Sequence, residues 1–338
     1  MDPSRRLLGT SATVLALTTL LAGCGGGSTE NTSAATEQAE LAGQVRIDGS
    51  STVAPLSTAA AEFFAEEAPK VRVTVGTSGT GGGFEKFCAG ETDISDASRP
   101  IKDEEKAACA AKGITYEEFQ VANDALTVVV NKENTWAECL SVEQLKKMWE
   151  PAAQGKVTTW KQVDPSFPDE PLKLFGAGTD SGTFDYFTDA VNGEEGASRT
   201  DYSPSEDDNV TVQGVAGSKG GLGYFGFSYY EENQDKLKAV QIDGGTGCVA
   251  PSVQAAQDGS YSPLARPLFI YPSAAALARP EVEAFVEYYV ANTRRIAEDA
   301  LFIPLNTEQE TELRADLDRL RSRFGNPSGT ATPSATSS

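Results

Sequence analysis

GTDSGTFDYF, residues Gly178 to Phe187, follows directly on the apolar run Leu172–Phe175. A strand that runs into Gly, Thr, Asp, Ser, Gly and Thr and then into an aromatic-rich segment predicts a strand, a tight loop and a helix, here Phe184–Val191. Two further stretches repeat the pattern. Ser50-Ser51-Thr52-Val53 follows the short strand Val45–Ile47 and precedes a helix from Pro55 to about Ala68. Thr77-Ser78-Gly79-Thr80-Gly81 follows the alternating strand Val71–Val75 and precedes a helix from Gly83 to about Ala89. Leu126–Val130 and Leu268–Tyr271 read as further strands, and Val142–Trp149, Pro280–Asn292 and Glu308–Phe324 as helices. Strands alternating with helices predict an α/β fold with a parallel or mixed sheet.

Each loop, taken alone, is ordinary helix-cap and turn chemistry. Three of them in one structural context point to a binding site. The first turn of a helix carries unpaired N–H groups and partial positive charge, which suits a small anion. Glycine lets the backbone approach, and Ser and Thr add hydroxyl donors without bulk. A fourth segment, Asp93–Pro100, adds Ser98 and Arg99, whose planar fork of donors fits an oxyanion. Nucleotide motifs are missing: there is no GxxxxGK[ST], and GTGGGF (Gly79–Phe84) lacks the final glycine of GxGxxG.

Composition narrows the function. The chain has no histidine among 338 residues, which excludes Ser-His-Asp and Cys-His catalysis and His-ligated zinc. A formal net charge of −21 argues against a general nucleic-acid surface. No cofactor and no metal are expected. An exported phosphohydrolase would need a metal cluster or an activated nucleophile, and the sequence has no histidine and no compact Asp cluster of obvious ligand spacing.

The N-terminus reads as a targeting segment. Arg5 and Arg6 precede an uncharged apolar stretch, Leu7–Leu21, and then Leu21-Ala22-Gly23-Cys24, which resembles the lipobox of bacterial lipoproteins with Cys24 as the lipidated residue. Residues 24–43 read as a flexible tether and 325–338 as a disordered tail. With Cys24 set aside, four of the five cysteines remain, which in an exported protein implies two disulfides. Of the three possible pairings, Cys88–Cys109 with Cys139–Cys248 is preferred.

DGSSTVAP (Asp48–Pro55), SGTGGGFEKFCAGETDISDASRPI (Ser78–Ile101), GTDSGTF (Gly178–Phe184) and GSKGGLGYFGF (Gly217–Phe227) together resemble the phosphate-binding lipoproteins of high-affinity phosphate ABC transporters, over roughly Val45 to Leu320. The resemblance implies a type II periplasmic-binding-protein fold: two α/β lobes, each a mixed sheet flanked by helices, joined by a hinge. Lobe one is expected at 44–124 plus 265–324 and lobe two at 125–264, after a signal peptide at 1–23. The preferred disulfides then fall one in each lobe. Expected partners are inorganic phosphate, the permease subunits of the transporter, and the membrane through lipid on Cys24. The chain is expected to be a monomer, anchored to the outer face of the cell membrane, and not an enzyme.

The resemblance also implies a site. Thr52 with the Val53 N–H, Ser78 or Thr80, and Ser181-Gly182-Thr183 match the family's ligand loops; with Ser51, Ser98 and Arg99 they form the expected phosphate-binding set. Two positions depart from the family pattern. Well-known members carry an Asp where Ser98 stands, five positions after Asp93, and an Arg where Ala177 stands, four positions before Ser181. Arg99 is the expected replacement for the charge, and Asp96 or Asp180 for the proton acceptor that rejects sulfate. The same fold tuned to sulfate, molybdate or arsenate is the alternative reading.

Overall fold

The computed structural model describes residues 41–179 and 181–324. The signal peptide, Cys24, most of the tether, Asp180 and the tail lie outside the described residues. Among the described residues twelve strands alternate with helices. The first part of the chain gives β1 (Ala42–Gly49), α1 (Ala54–Glu67), β2 (Lys70–Gly76), α2 (Gly79–Cys88), β3 (Ile94–Ala97) and α3 (Asp103–Ala111). Then come β4 (Phe119–Asn131), β5 (Cys139–Ser141), α4 (Val142–Trp149), α5 (Trp160–Val163), β6 (Lys173–Ala177) and α6 (Gly182–Asn192). They are followed by β7 (Ser203–Ser205), α7 (Asp208–Ala216), β8 (Gly221–Gly226), α8 (Phe227–Glu232), β9 (Leu237–Ala239), β10 (Gln241–Asp243), β11 (Cys248–Val249) and α9 (Val253–Gln257). The chain closes with β12 (Ala265–Pro272), α10 (Ala274–Leu277), α11 (Pro280–Ala291), α12 (Thr293–Asp299) and α13 (Thr307–Phe324).

A mixed sheet runs β2-β1-β3-β12-β4-β8-β6-β7, with β9 also on β4; a small second sheet runs β11-β10-β5. β1 is parallel to β2 and β3, and β6 to β7 and β8. β4 changes partner midway. Phe119 to Ala125 pairs with β12, and Leu126 to Val130 pairs with β8. The apolar run predicted only Leu126–Val130; the strand extends back to Phe119 because β12 pairs with Phe119–Ala125, which buries the polar Asn123 and Asp124.

Two cores lie on either side of that change. One gathers Val45, Leu56, Phe64, Phe119, Leu268, Phe285 and Leu317; the other Leu126, Trp149, Trp160, Phe187, Tyr224 and Leu264, joined by Ile303. In the second core Trp149 meets the rings of Phe187, Tyr202 and Tyr224 at 5.1 to 5.3 Å, and Phe187 stacks on Tyr224 at 3.7 Å. Such pairs contribute about 0.5–1.5 kcal/mol each beyond burial. They hold α6 rigidly and so fix where its N-terminus points. Both preferred disulfides are present, Cys88–Cys109 and Cys139–Cys248.

α2 corrects an expectation. It starts at Gly79 and takes Gly81, Gly82 and Gly83 into the helix. Each glycine costs about 1 kcal/mol of helix propensity, but a Cβ on Gly83 would come within 2.5 Å of the Gly49 Cα. Close packing of α2 on β1 overrides local preference.

Candidate functional site

The three loops do come together. A cleft of about 600 Å³ is walled by Ser50–Thr52 at the start of α1, Gly79–Gly81 at the start of α2, Ser98 and Arg99 after β3, and Gly182 at the start of α6. A smaller chamber of about 240 Å³ adjoins it, lined by Ser181, Gly182, Thr183 and Asp124 and sharing Ser51 and Thr52 with the cleft. The wall between them is the contact of α6 with the Ser51–Thr52 turn: the Thr52 hydroxyl donates to the Gly182 carbonyl at 3.3 Å.

Capping explains only one of these loops. Ser181 Oγ accepts the Thr183 N–H at 3.2 Å, an ordinary cap. Neither Val53 nor Ser78 caps its helix with a side chain. The first turn of α2, with Thr80, therefore faces the cleft with its backbone dipoles uncovered. Thr80 Oγ1 and Ser98 Oγ lie 3.1 Å apart, and the Ser98 N–H donates to Thr80 Oγ1 at 3.2 Å. These two hydroxyls form a pair facing the same space.

Ser78 does not join them. Its hydroxyl and its N–H both go to Asp48 Oδ1, at 2.6 and 3.0 Å, so of the two expected residues Thr80 holds the cleft position. Val53 is buried in the first core, and its N–H donates to Ser50 O at 3.2 Å. Asp96 is fully buried off the cleft, with Ser57 donating to Oδ1 at 2.9 Å. Burial pushes its carboxyl up to about 8, against the Ser57 bond and helped by the charge of Asp48.

Arg99 lines the cleft, but its fork is already taken. Nη1 and Nη2 reach Glu105 Oε2 and Oε1 at 2.9 and 2.7 Å. That bidentate pair neutralises the charge expected to meet the ligand. Lys102 also lines the cleft, and the guanidinium there that sequence reasoning missed is Arg266 on β12. Its Nη2 donates to Thr52 Oγ1 at 2.8 Å, its Nε to Asp124 Oδ2 at 3.3 Å, and its guanidinium carbon lies 3.4 Å from the Tyr186 ring centroid. Burial raises the Asp124 carboxyl despite the Arg266 charge beside it. The α6 side of the cleft carries Asp185, Asp189 and Glu195, of which burial raises Asp185 and Glu195. An anion is thus drawn to the side with Thr52, Thr80, Ser98 and Arg266 and repelled by the other. The signal for Arg266 was present: β4 and β12 read as buried strands, and Asp124 and Arg266 sit at the edges of those apolar runs.

Residues 34–293 match the PBP superfamily domain. The protein SphX of Synechococcus elongatus is 50% identical over 268 residues, 79% of each chain. The phosphate-binding protein PstS of Staphylococcus saprophyticus is 41% identical over 315 residues, 93% of this chain and 94% of its own. The crystal structure of a possible phosphate-binding protein from Planctomyces limnophilus superposes with a TM-score of 0.79 at 48% identity, covering 83% of this chain and 99% of that one. The mixed sheet with flanking helices is the fold these proteins share with this chain.

Proposed function

Since the chain belongs to the PBP superfamily, among its phosphate-binding substrate-binding proteins, we propose that it is an extracytoplasmic receptor that holds inorganic phosphate between two lobes and delivers it to an ABC permease for import. In this reading the lobes are residues 44–124 with 265–324, and 125–264, and the hinge is the β4–β12 crossing. Lipid on Cys24 anchors the receptor to the outer face of the membrane. The chain performs no chemistry on its ligand.

The observation that carries the reading is the convergence of four distant segments on one cleft, with three helix starts and the Arg266 guanidinium, whose fork is not closed on a carboxylate as that of Arg99 is. Thr52, Thr80, Ser98 and the first turn of α2 supply O–H and N–H donors from one lobe. From the other, Gly182 at the start of α6 reaches the cleft, whereas Ser181 and Thr183 line the adjoining chamber beyond it. A dry tetrahedral oxyanion needs this: each lone pair must find a donor once water is gone, and charge-assisted bonds are the strongest available. Closing the lobes over the ligand desolvates donors and anion together.

Ser98 and Ala177, which stand where better-known members carry Asp and Arg, favour a second reading in which the ligand is another tetrahedral oxyanion. Calorimetric titration of the phosphate-stripped protein with phosphate and then sulfate separates the two. Tight phosphate binding with no sulfate binding is expected. Equal binding of both, or of neither, overturns the phosphate assignment.

A further inference from the structure

The anion cleft has one feature that belongs to neither set of loops. Arg266 and Asp124 are directly paired residues on β12 and β4, the two strands that cross between the cores. Both side chains are largely buried, 14% and 8% exposed. From that crossing point the guanidinium touches three bodies at once. Its Nε is held by Asp124 in the crossing itself. Its Nη2 reaches Thr52 in the α1 loop. Its flat face lies on Tyr186 of α6, whose own hydroxyl donates to Pro263 O at 2.7 Å.

We propose that Arg266, oriented by Asp124, is the charge that holds the anion in the site, and that it ties binding to closure because it is carried by the crossing strands and contacts both walls. The inference rests on the reading of the cleft as an oxyanion seat. Arg99 cannot serve this role while its fork holds Glu105. Arg266 retains donors beyond those that its three contacts occupy, since a guanidinium has five N–H groups and only two are engaged in hydrogen bonds here. An anion that takes the free donors also fixes the position of Thr52 and Tyr186 relative to β12. Asp124 offsets the charge of Arg266, so the pair meets an oxyanion chiefly through the free N–H donors of the guanidinium, and replacing the carboxylate with a neutral side chain strengthens the attraction for any oxyanion.

The test titrates phosphate, sulfate, arsenate and molybdate calorimetrically into the full-length protein and its Arg266→Gln, Arg266→Lys and Arg99→Ala variants, with ligand-induced contraction followed by small-angle scattering. Truncating one hydrogen-bonded buried charge corresponds to a loss of about 30- to 4,000-fold. That loss is expected for Arg266→Gln, whereas Arg99→Ala loses less than about fivefold, as for a partly exposed ion pair. Arg266→Lys keeps the charge but not the fork, so it binds with intermediate affinity and contracts less. Arg266→Gln that melts like the wild type and binds within threefold of it overturns the proposal. Should Arg266→Gln fail to fold because Asp124 is left unpaired, the double variant Asp124→Asn/Arg266→Gln carries the test: loss of binding supports the assignment and retained binding overturns it. Wild-type binding of sulfate alone, lost in Arg266→Gln, removes phosphate as the ligand and leaves Arg266 standing. A wild-type chain that binds none of the four anions overturns both.

Discussion

The Thr52 hydroxyl accepts from Arg266 and donates to Gly182, so one side chain joins β12, α1 and α6. Few positions show more plainly how much a residue's neighbours decide. Asp96 is another case. Two residues before Ser98, it lies in the interior with one oxygen on Ser57 and the other without a partner. The folded protein keeps its proton up to about pH 8, while the unfolded chain loses it near 3.8. The native state therefore binds the extra proton between those values, and stability declines as pH rises through that window, by at most about 1.4 kcal/mol per pH unit for one group. Asp96→Asn should flatten this dependence and exceed the wild type in stability at pH 8, with the gap closing toward pH 4. Urea denaturation at several pH values reads it directly; parallel curves for the two proteins would contradict the burial argument.

Among elements, α6 has little room to move toward α1. A Cβ on Gly182 would lie 2.8 Å from Ser51 Oγ, from Thr52 N and from Thr52 Oγ1. Gly182→Ala should therefore hold α6 away from the Ser51–Thr52 turn. Because the residue sits in an ordinary helix start on a rigid aromatic base, the fold should survive. The expected result is an unchanged melting temperature with phosphate affinity reduced at least tenfold by calorimetry, and equal affinity would show that α6 and α1 need not meet. The disulfides act at the same scale. Cys88–Cys109 ties α2 to α3 across 21 residues, and Cys139–Cys248 ties β5 to β11 across 109. In the loop-entropy account these restrict the unfolded chain by about 3 and about 4.7 kcal/mol. Each bridge joins elements on the same side of the β4 crossing, so each braces a region while leaving the crossing strands free.

At the scale of the whole molecule, the formal charge of −21 opposes the approach of any anion. Local dipoles and Arg266 must win at short range. Salt shortens the reach of the repulsion from about 30 Å at 0.01 M to about 8 Å at 0.15 M. Stopped-flow association of phosphate is expected to quicken as salt rises over that range. A rate that falls instead would mean that the field of the cleft mouth, and not the net charge, steers the ligand.

Much of this was legible in the chain itself. The period of the apolar residues placed α4 at Val142–Trp149 without error and located the cores of β1, β2 and β12. Loop chemistry singled out the stretches Ser50–Val53, Thr77–Gly81 and Asp180–Thr183, because turns and helix starts depend on residues within a few positions of one another, and the family resemblance then pointed to Thr52, to Ser78 or Thr80, and to Ser181–Thr183 within them. The absence of histidine excluded whole classes of chemistry before any fold was considered. Tertiary structure alone decided which hydroxyl of Ser78 and Thr80 faces the cleft, since Asp48, 30 residues from Ser78, captures one of them. It likewise decided that Arg99 is occupied and that Arg266 lines the cleft between Thr52 and Tyr186. The partners of Arg266 are 142 and 214 residues away. Local pattern carries no record of such distances; they are set by how β4 and β12 cross and by which buried charges must find one another once water is excluded.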